Sequence, residues 1–249
     1  ALLEFKNDMA QYSPERLKAV ATSALRDAKN GQEFINEIKL LTGIEIELIS
    51  GKKEAKFIFT GVVNSIHFQE EPFLVMDIGG GSVEFIIGNK LGPLRLDSFN
   101  IGCARLIEKY HNNDPISEQE ILALESHLEK ELQPLIQNNI MVKKLVGSAG
   151  SFESLVYLAE ELIGNKPEMI RENCYKINKA DFEEVYQKLI MSTSEERELM
   201  QGLADYRVEM IVVAVVLIRF VMKKLQIEEL YCSEFSLKEG VIFGMMEEG

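Results

Sequence analysis

The sequence has no tryptophan, and only three cysteines and three histidines among its 249 residues. The missing tryptophan carries no functional message. Cys103, Cys174 and Cys232 are odd in number, widely spaced and without any C-x-x-C pair. That pattern argues against a disulfide framework or a zinc site and makes a reducing cytoplasm the expected setting. His67, His111 and His127 are scattered with no partner at ligand spacing, so none is assigned a role. Positive charge is also scarce: 27 Lys and Arg against 40 Asp and Glu leave a net charge of −13. Such a surface does not suit specific nucleic-acid binding. It still admits a polyanionic ligand at a site made locally positive by backbone N–H groups, an arginine and a metal. Long apolar runs are missing as well. The longest, residues 210–218, lies between Glu209 and Arg219 and falls far short of the roughly 20 residues that a membrane span requires. It reads as a buried core helix, and no membrane association is expected. No signal-peptide pattern opens the chain.

Hydrophobic residues make up 46% of the chain, enough for a sizeable core, and the length fits one large or two modest domains. Residues 1–12 have helical spacing, 18–22 form a short strand, 23–30 a helix start and 32–41 a second helix. Residues 44–49 alternate as a half-buried strand, and Ser50 is placed to cap a helix over 52–65. Strands at 73–77, 83–87 and 94–100 then form a meander. Helices follow near 104–111 and 117–137, a strand at 144–147, helices near 152–163, 179–191, 194–201 and 205–225, a strand at 229–232 and a helix at 236–246. The second part therefore reads βββ-α-β-α-β-α, the order of a ribonuclease-H-like domain. The first part reads as the same order without its three opening strands. The expected division is a partial first domain at 1–68 and a second at 69–249, with the last helix packing back toward the first.

The most informative stretch is Asp77-Ile78-Gly79-Gly80-Gly81-Ser82-Val83-Glu84. An apolar strand ends in an aspartate, and the turn that follows has almost no side chains. Glycine tolerates strained backbone angles and close approach. A phosphate cradled by N–H groups and the Ser82 hydroxyl is the expected visitor. Asp77 and Glu84 offer oxygen ligands to a divalent cation. A plain hairpin turn is the bland alternative, but a hairpin needs one or two glycines rather than three between an acid and a serine.

Other candidates are weaker alone. Arg26, one turn into a helix, can fork onto a phosphate or form an ordinary surface salt bridge. Glu54, in the first turn after Ser50, suits the helix dipole or, more sharply, a carboxylate steering water at the mouth of a cleft. Gly147-Ser148-Ala149-Gly150-Ser151 is either a phosphate-admitting turn at a helix start or a tight connection. Ser82 has no candidate histidine base near it in sequence, which disfavours a serine hydrolase.

Taken together these motifs resemble the exopolyphosphatase / guanosine pentaphosphate phosphohydrolase (Ppx/GppA) family. The carriers are Ala21 through Asn30, Ile46 through Ala55 and Asp77 through Glu84. Weaker echoes lie at Asn100-Ile101-Gly102-Cys103, at Gly147 through Ser151 and at Ser236 through Gly240. The resemblance implies an α/β fold of two ribonuclease-H-like domains, the actin / sugar-kinase / Hsp70 superfold. It implies Glu54 as the catalytic carboxylate, phosphate binding by Arg26, Gly79, Gly80, Gly81, Ser82, Gly147 and Gly150, and Asp77 and Glu84 as ligands of Mg2+ or another divalent cation. The implied reaction is hydrolysis of the terminal phosphoanhydride of polyphosphate or guanosine pentaphosphate, and a homodimer is compatible with it. The family's opening Asp-x-Gly-Ser-Asn-Ser type loop does not occur in these residues, so a longer protein is expected to carry it. Lys53 precedes Glu54 where the family usually has a second acid. A non-catalytic phosphate or alarmone sensor, and less favoured an ATP-dependent kinase of the same superfold, are the alternatives.

Overall fold

A computed structural model describes residues 2–68, 70–137 and 140–247. The first segment runs α1 (Leu2–Tyr12), β1 (Ala19–Ala21), α2 (Ser23–Asp27), α3 (Gly31–Thr42), β2 (Ile46–Leu48) and α4 (Gly51–Ser65). Strands β1 and β2 pair in parallel as a two-stranded sheet. Helix α4 begins where Ser50 Oγ accepts the Lys53 N–H, as the capping signal predicts. Gly43 ends α3 in a left-handed conformation that suits glycine.

The rest of the chain builds a seven-stranded mixed sheet. Strands β3 (Phe73–Ile78), β4 (Val83–Asn89) and β5 (Gly92–Phe99) are the expected meander. Helices α5 (Cys103–Tyr110), α6 (Glu118–Glu131) and α7 (Gln133–Ile136) lead to β6 (Lys144–Ser148) and α8 (Gly150–Ile163). Then come β7 (Glu168–Arg171), β8 (Cys174–Ile177), α9 (Lys179–Met191), α10 (Ser194–Glu198), α11 (Met210–Lys224), β9 (Glu229–Ser233) and α12 (Leu237–Glu247). The spatial order is β5-β4-β3-β6-β9-β8-β7, and β3, β6 and β9 are mutually parallel.

Three local readings are corrected. The hairpin β7–β8 is not anticipated by the sequence pattern, because β7 is exposed on both faces and shows no apolar alternation. The helix expected over 117–137 divides at Leu132, just before Pro134, whose ring cannot continue an α-helix from its interior. The helix expected from 205 begins at Met210, after a 3-10 turn at Asp205–Arg207.

One face of the sheet packs on α11, whose residues Ile211 to Ile218 are essentially inaccessible. The apolar run is thus a core helix, and among the described residues no helix is long and apolar enough to cross a membrane. The other face is covered by α4, through Ala55, Ile58, Phe59 and Val62 against Phe73, Val75, Ile86 and Val146. Helix α12 lies against α4 at backbone contact. A Cβ on Gly240 would come within 1.7 Å of the Phe57 carbonyl, and one on Gly61 within 2.3 Å of the Ser236 carbonyl. Two glycines therefore set how closely these helices approach, and α4 carries Glu54 at its N-terminal end.

Candidate active site

The strand registers align Asp77 with Glu84, Glu84 with Ser98, and Asp77 with Ser148. Ser98, Glu84, Asp77 and Ser148 form one row across adjacent strands. Alternation along each strand turns that row toward α4, since Val75, Ile86, Leu96 and Val146 on the same face pack there. Ser98 Oγ donates to Glu84 Oε1 at 2.7 Å, and Ser148 Oγ donates to Asp77 Oδ2 at 2.5 Å. Burial pushes the Asp77 carboxyl up to about 6; the Ser148 hydroxyl opposes this, and the nearby charges of Glu54 and Glu153 add to it. Burial also pushes Glu84 up to about 8, with further repulsion from Glu54 and Asp77 against the pull of the Ser98 and Ser82 hydroxyls.

Glu54 therefore belongs to this cluster in space. It is buried in the first turn of α4, and Arg26 Nη1 donates to its Oε2 at 3.2 Å. Burial raises the Glu54 pKa, while Arg26 and a hydrogen bond with Thr22 hold it back. Arg26 Nη1 also donates to the Ile49 carbonyl at 3.0 Å. Arg26 thus forms a largely buried salt bridge with Glu54 rather than a surface one.

The glycine turn is seated on the N-terminus of α5. The N–H groups of Gly102, Cys103 and Ala104 donate to the carbonyls of Gly81, Gly79 and Gly80 at 3.3, 2.9 and 3.0 Å. A planar trans peptide sets the next N–H opposite to each carbonyl. The N–H groups of Gly80, Gly81 and Ser82 therefore point away from α5, a nest suited to an anion. Positive φ is not the reason for these glycines, contrary to the strained-angle expectation: among the described residues the positive-φ glycines are Gly43, Gly92, Gly164 and Gly202. Close approach is. A Cβ on Gly81 would lie 2.7 Å from Ser23 Oγ, and one on Gly102 would lie 2.4 Å from the Gly80 backbone. The echo at Asn100–Cys103 is thus the seat of the turn.

The turn at Gly147 through Ser151 lies at the end of β6, next along the sheet from Asp77. Ala149 sits there at φ 66°, ψ 178°, a region that costs a non-glycine residue about 1–3 kcal/mol and gathers at functional loops. Arg207 closes on it, with Nη1 donating to the Gly150 carbonyl at 2.8 Å and lying 3.7 Å from Glu153. A Cβ on Gly150 would strike that guanidinium.

Sequence reading brings together Arg26, Glu54, Asp77, Glu84 and the glycine turn, and the structure places all of them around one region. It misses Ser98 and Arg207, and it names Ser148 only as part of the Gly147–Ser151 turn, not as a partner of Asp77. The meander alone could have revealed Ser98, since counting outward from the 89–92 turn sets it opposite Glu84. No local signal marks Arg207. Among the described residues no histidine contributes to the environment of the three acids.

The donors beside Asp77 and Glu84 are all oxygen, the set that suits Mg2+ or Ca2+ rather than zinc. No cationic side chain is among the groups that shift either carboxyl. Among the described residues no group of three His, Cys, Asp or Glu could hold a metal by itself. The row fits a cation that keeps waters and takes phosphate oxygens as further ligands, the habit of Mg2+.

Comparison with known proteins places this architecture. The chain is 28% identical over 256 residues to Exopolyphosphatase 2 of Mycobacterium tuberculosis, spanning 98% of this chain and 79% of that protein. The crystal structure of an exopolyphosphatase from Cytophaga hutchinsonii superposes with a TM-score of 0.94 at 34% identity, over 99% of this chain and 80% of that one. The Aquifex aeolicus member of the Ppx/GppA family gives a TM-score of 0.83 at 27% identity, over 99% and 79%. The chain has the α/β fold of these Ppx/GppA structures, as the resemblance implies. The sequence pattern of the Ppx/GppA phosphatase family matches residues 1–248, and the chain belongs to that family of phosphohydrolases.

Proposed function

We propose that this protein releases terminal phosphate from inorganic polyphosphate by attack of water on the phosphoanhydride. The observation that carries this reading is the convergence of Glu54 with Asp77 and Glu84 beside the glycine turn. The terminal phosphoryl group lies against the N–H groups of Gly80, Gly81 and Ser82, with Gly79 closing the turn through its N–H to the Ser82 carbonyl. Arg26 approaches from α2, and the Gly147–Gly150 turn with Arg207 receives the oxygens on the far side. Water forms a new bond to phosphorus as the bridging P–O bond breaks, and the shortened chain leaves with the electron pair as an oxyanion. Glu54 takes the proton from that water. Its burial brings its pKa toward the working range of a base, and Arg26 on Oε2 orients the carboxylate. Fixed N–H dipoles then meet the charge spread over the transferred oxygens. Asp77 and Glu84 are the residues that would hold a divalent cation, which when bound neutralises phosphate charge. Domains at 1–68 and 69–249, a cytoplasmic setting and a homodimer complete the proposal.

One observation favours guanosine pentaphosphate as a second substrate. A groove of about 490 Å³ opens beside Glu153 and is lined by Tyr157, Pro167, Met169, Tyr175 and Phe235, surfaces on which a base can stack. Phosphate release from polyphosphate, guanosine pentaphosphate and ATP, with and without Mg2+, separates the readings. Release that Glu54→Gln abolishes supports hydrolysis. Binding without turnover supports a sensor, and transfer from ATP to an acceptor supports a kinase.

A further inference from the structure

Arg105, in the first turn of α5, makes two contacts at once. Its Nε donates to the Gly81 carbonyl at 2.8 Å, and its Nη2 forms an ion pair with Asp27. Gly81 lies in the glycine turn, and Asp27 ends α2 one residue after Arg26. One guanidinium thus ties the turn to the helix that carries Arg26. The junction is tight, since the space a Gly81 Cβ would take is bounded by Ser23 Oγ and, at 4.0 Å, by Arg105 Nη2.

Stability does not account for this pair. Its side chains are 41% and 36% exposed, and pairs of that kind contribute about 0–1 kcal/mol. The turn is already held by three N–H groups of α5. What the pair adds is a fixed separation between the turn and α2. Arg26 contacts Glu54 and the Ile49 carbonyl, so a shift of α2 displaces the guanidinium that orients Glu54.

We propose that Arg105 and Asp27 form a positioning clasp that keeps Arg26 and Glu54 in register with the glycine turn. The clasp rests on the phosphoanhydride reading of the site and extends it to two residues that do not touch the reacting atoms. Lysine cannot replace Arg105, because a single ammonium does not reach carbonyl and carboxylate with the geometry of a planar fork.

The test uses full-length protein carrying Arg105→Lys, Asp27→Asn, or both, with kcat on polyphosphate, calorimetric affinity for tripolyphosphate, and Tm. Each single variant is expected to lower kcat at least about tenfold, the scale that misplacement of an ångström produces. The double variant should fall no further than the worse single one, since both changes open the same clasp. Tm should stay within about 3 °C, in line with the small worth of an exposed pair. A kcat within twofold of wild type, losses that multiply in the double variant, or losses that track a falling Tm overturn the clasp. Should wild type itself fail to hydrolyse polyphosphate, the hydrolase reading fails, and affinity then decides the clasp. Tripolyphosphate bound about tenfold more weakly by both single variants supports it, and unchanged affinity overturns it.

Discussion

Asp77 and Glu84 stand directly opposite each other on β3 and β4, with both carboxyl groups on the sheet face beneath α4. Burial raises both acids, and repulsion adds to it, from Glu54 on each and from Asp77 on Glu84. Each binds its proton more tightly in the folded chain than in the unfolded one, so folding takes up protons and stability falls as pH rises between the two pKa values. For Asp77 that window runs from 3.8 to about 6, and for Glu84 from 4.5 to about 8. Without added cation, Tm is therefore expected to decline as pH is raised from about 5 to about 8. Glu84→Gln should flatten the upper part of that decline. Thermal melts across this range check it, and an unaltered slope in the variant would mean that Glu84 is ionised throughout.

The same pair predicts how the protein meets a divalent cation. Both carboxyl groups must lose their protons to serve as ligands, so Mg2+ competes with the proton. Added Mg2+ should raise Tm more at pH 8 than at pH 6, by an amount equivalent to about 2.7 kcal/mol at a hundredfold excess over Kd. Asp77→Asn should remove most of the gain. A gain of equal size at both pH values, or one that survives in Asp77→Asn, would place the cation elsewhere.

Much of this site was legible because its parts are local. Ser50 and Glu54 share one helix turn, and Asp77 through Glu84 is a single hairpin whose register follows from its own alternation. Arg26 was visible only as a charged residue on a short helix. Its partner Glu54 lies 28 residues away, beyond the reach of any local pattern. Arg207 was invisible for the same reason, since it meets Gly150 at a separation of 57 residues, and Ser148, though part of the Gly147–Ser151 turn, gave no sign of its bond to Asp77, 71 residues away. The β7–β8 hairpin escaped because an exposed strand held mainly by its neighbours writes no periodicity into its own residues.

Glu54→Gln separates chemistry from binding. The amide keeps the shape of the side chain and an oxygen for Arg26, but it cannot accept the proton of an attacking water. Phosphate release is expected to fall by about 10²–10⁴-fold, with tripolyphosphate affinity near that of wild type. Replacing a buried acid that repels Asp77 and Glu84 should also bring both their pKa values down. A loss of affinity as large as the loss of turnover would assign Glu54 to substrate binding instead.

The glycine turn and its seat on α5 offer the sharpest contrast, because a glycine of the one has open space where a glycine of the other has none. A methyl group on Gly80 meets nothing within 4 Å, whereas one on Gly102 would lie 2.4 Å from the carbonyl carbon and oxygen of Gly80 itself. Backbone cannot rotate aside as a side chain can. Gly102→Ala must lift the turn from its seat on α5, breaking the carbonyl contacts that aim the N–H groups of Gly80, Gly81 and Ser82. Overpacking of that kind costs about 1–3 kcal/mol, so Tm should fall in Gly102→Ala and hold in Gly80→Ala. Activity in Gly102→Ala should fall further than the lost stability explains when assayed well below its Tm. If Gly102→Ala remained fully active there, the seating of the turn would have no part in phosphate recognition, and the anion would have to be held by side chains such as Arg26 and Arg207 alone.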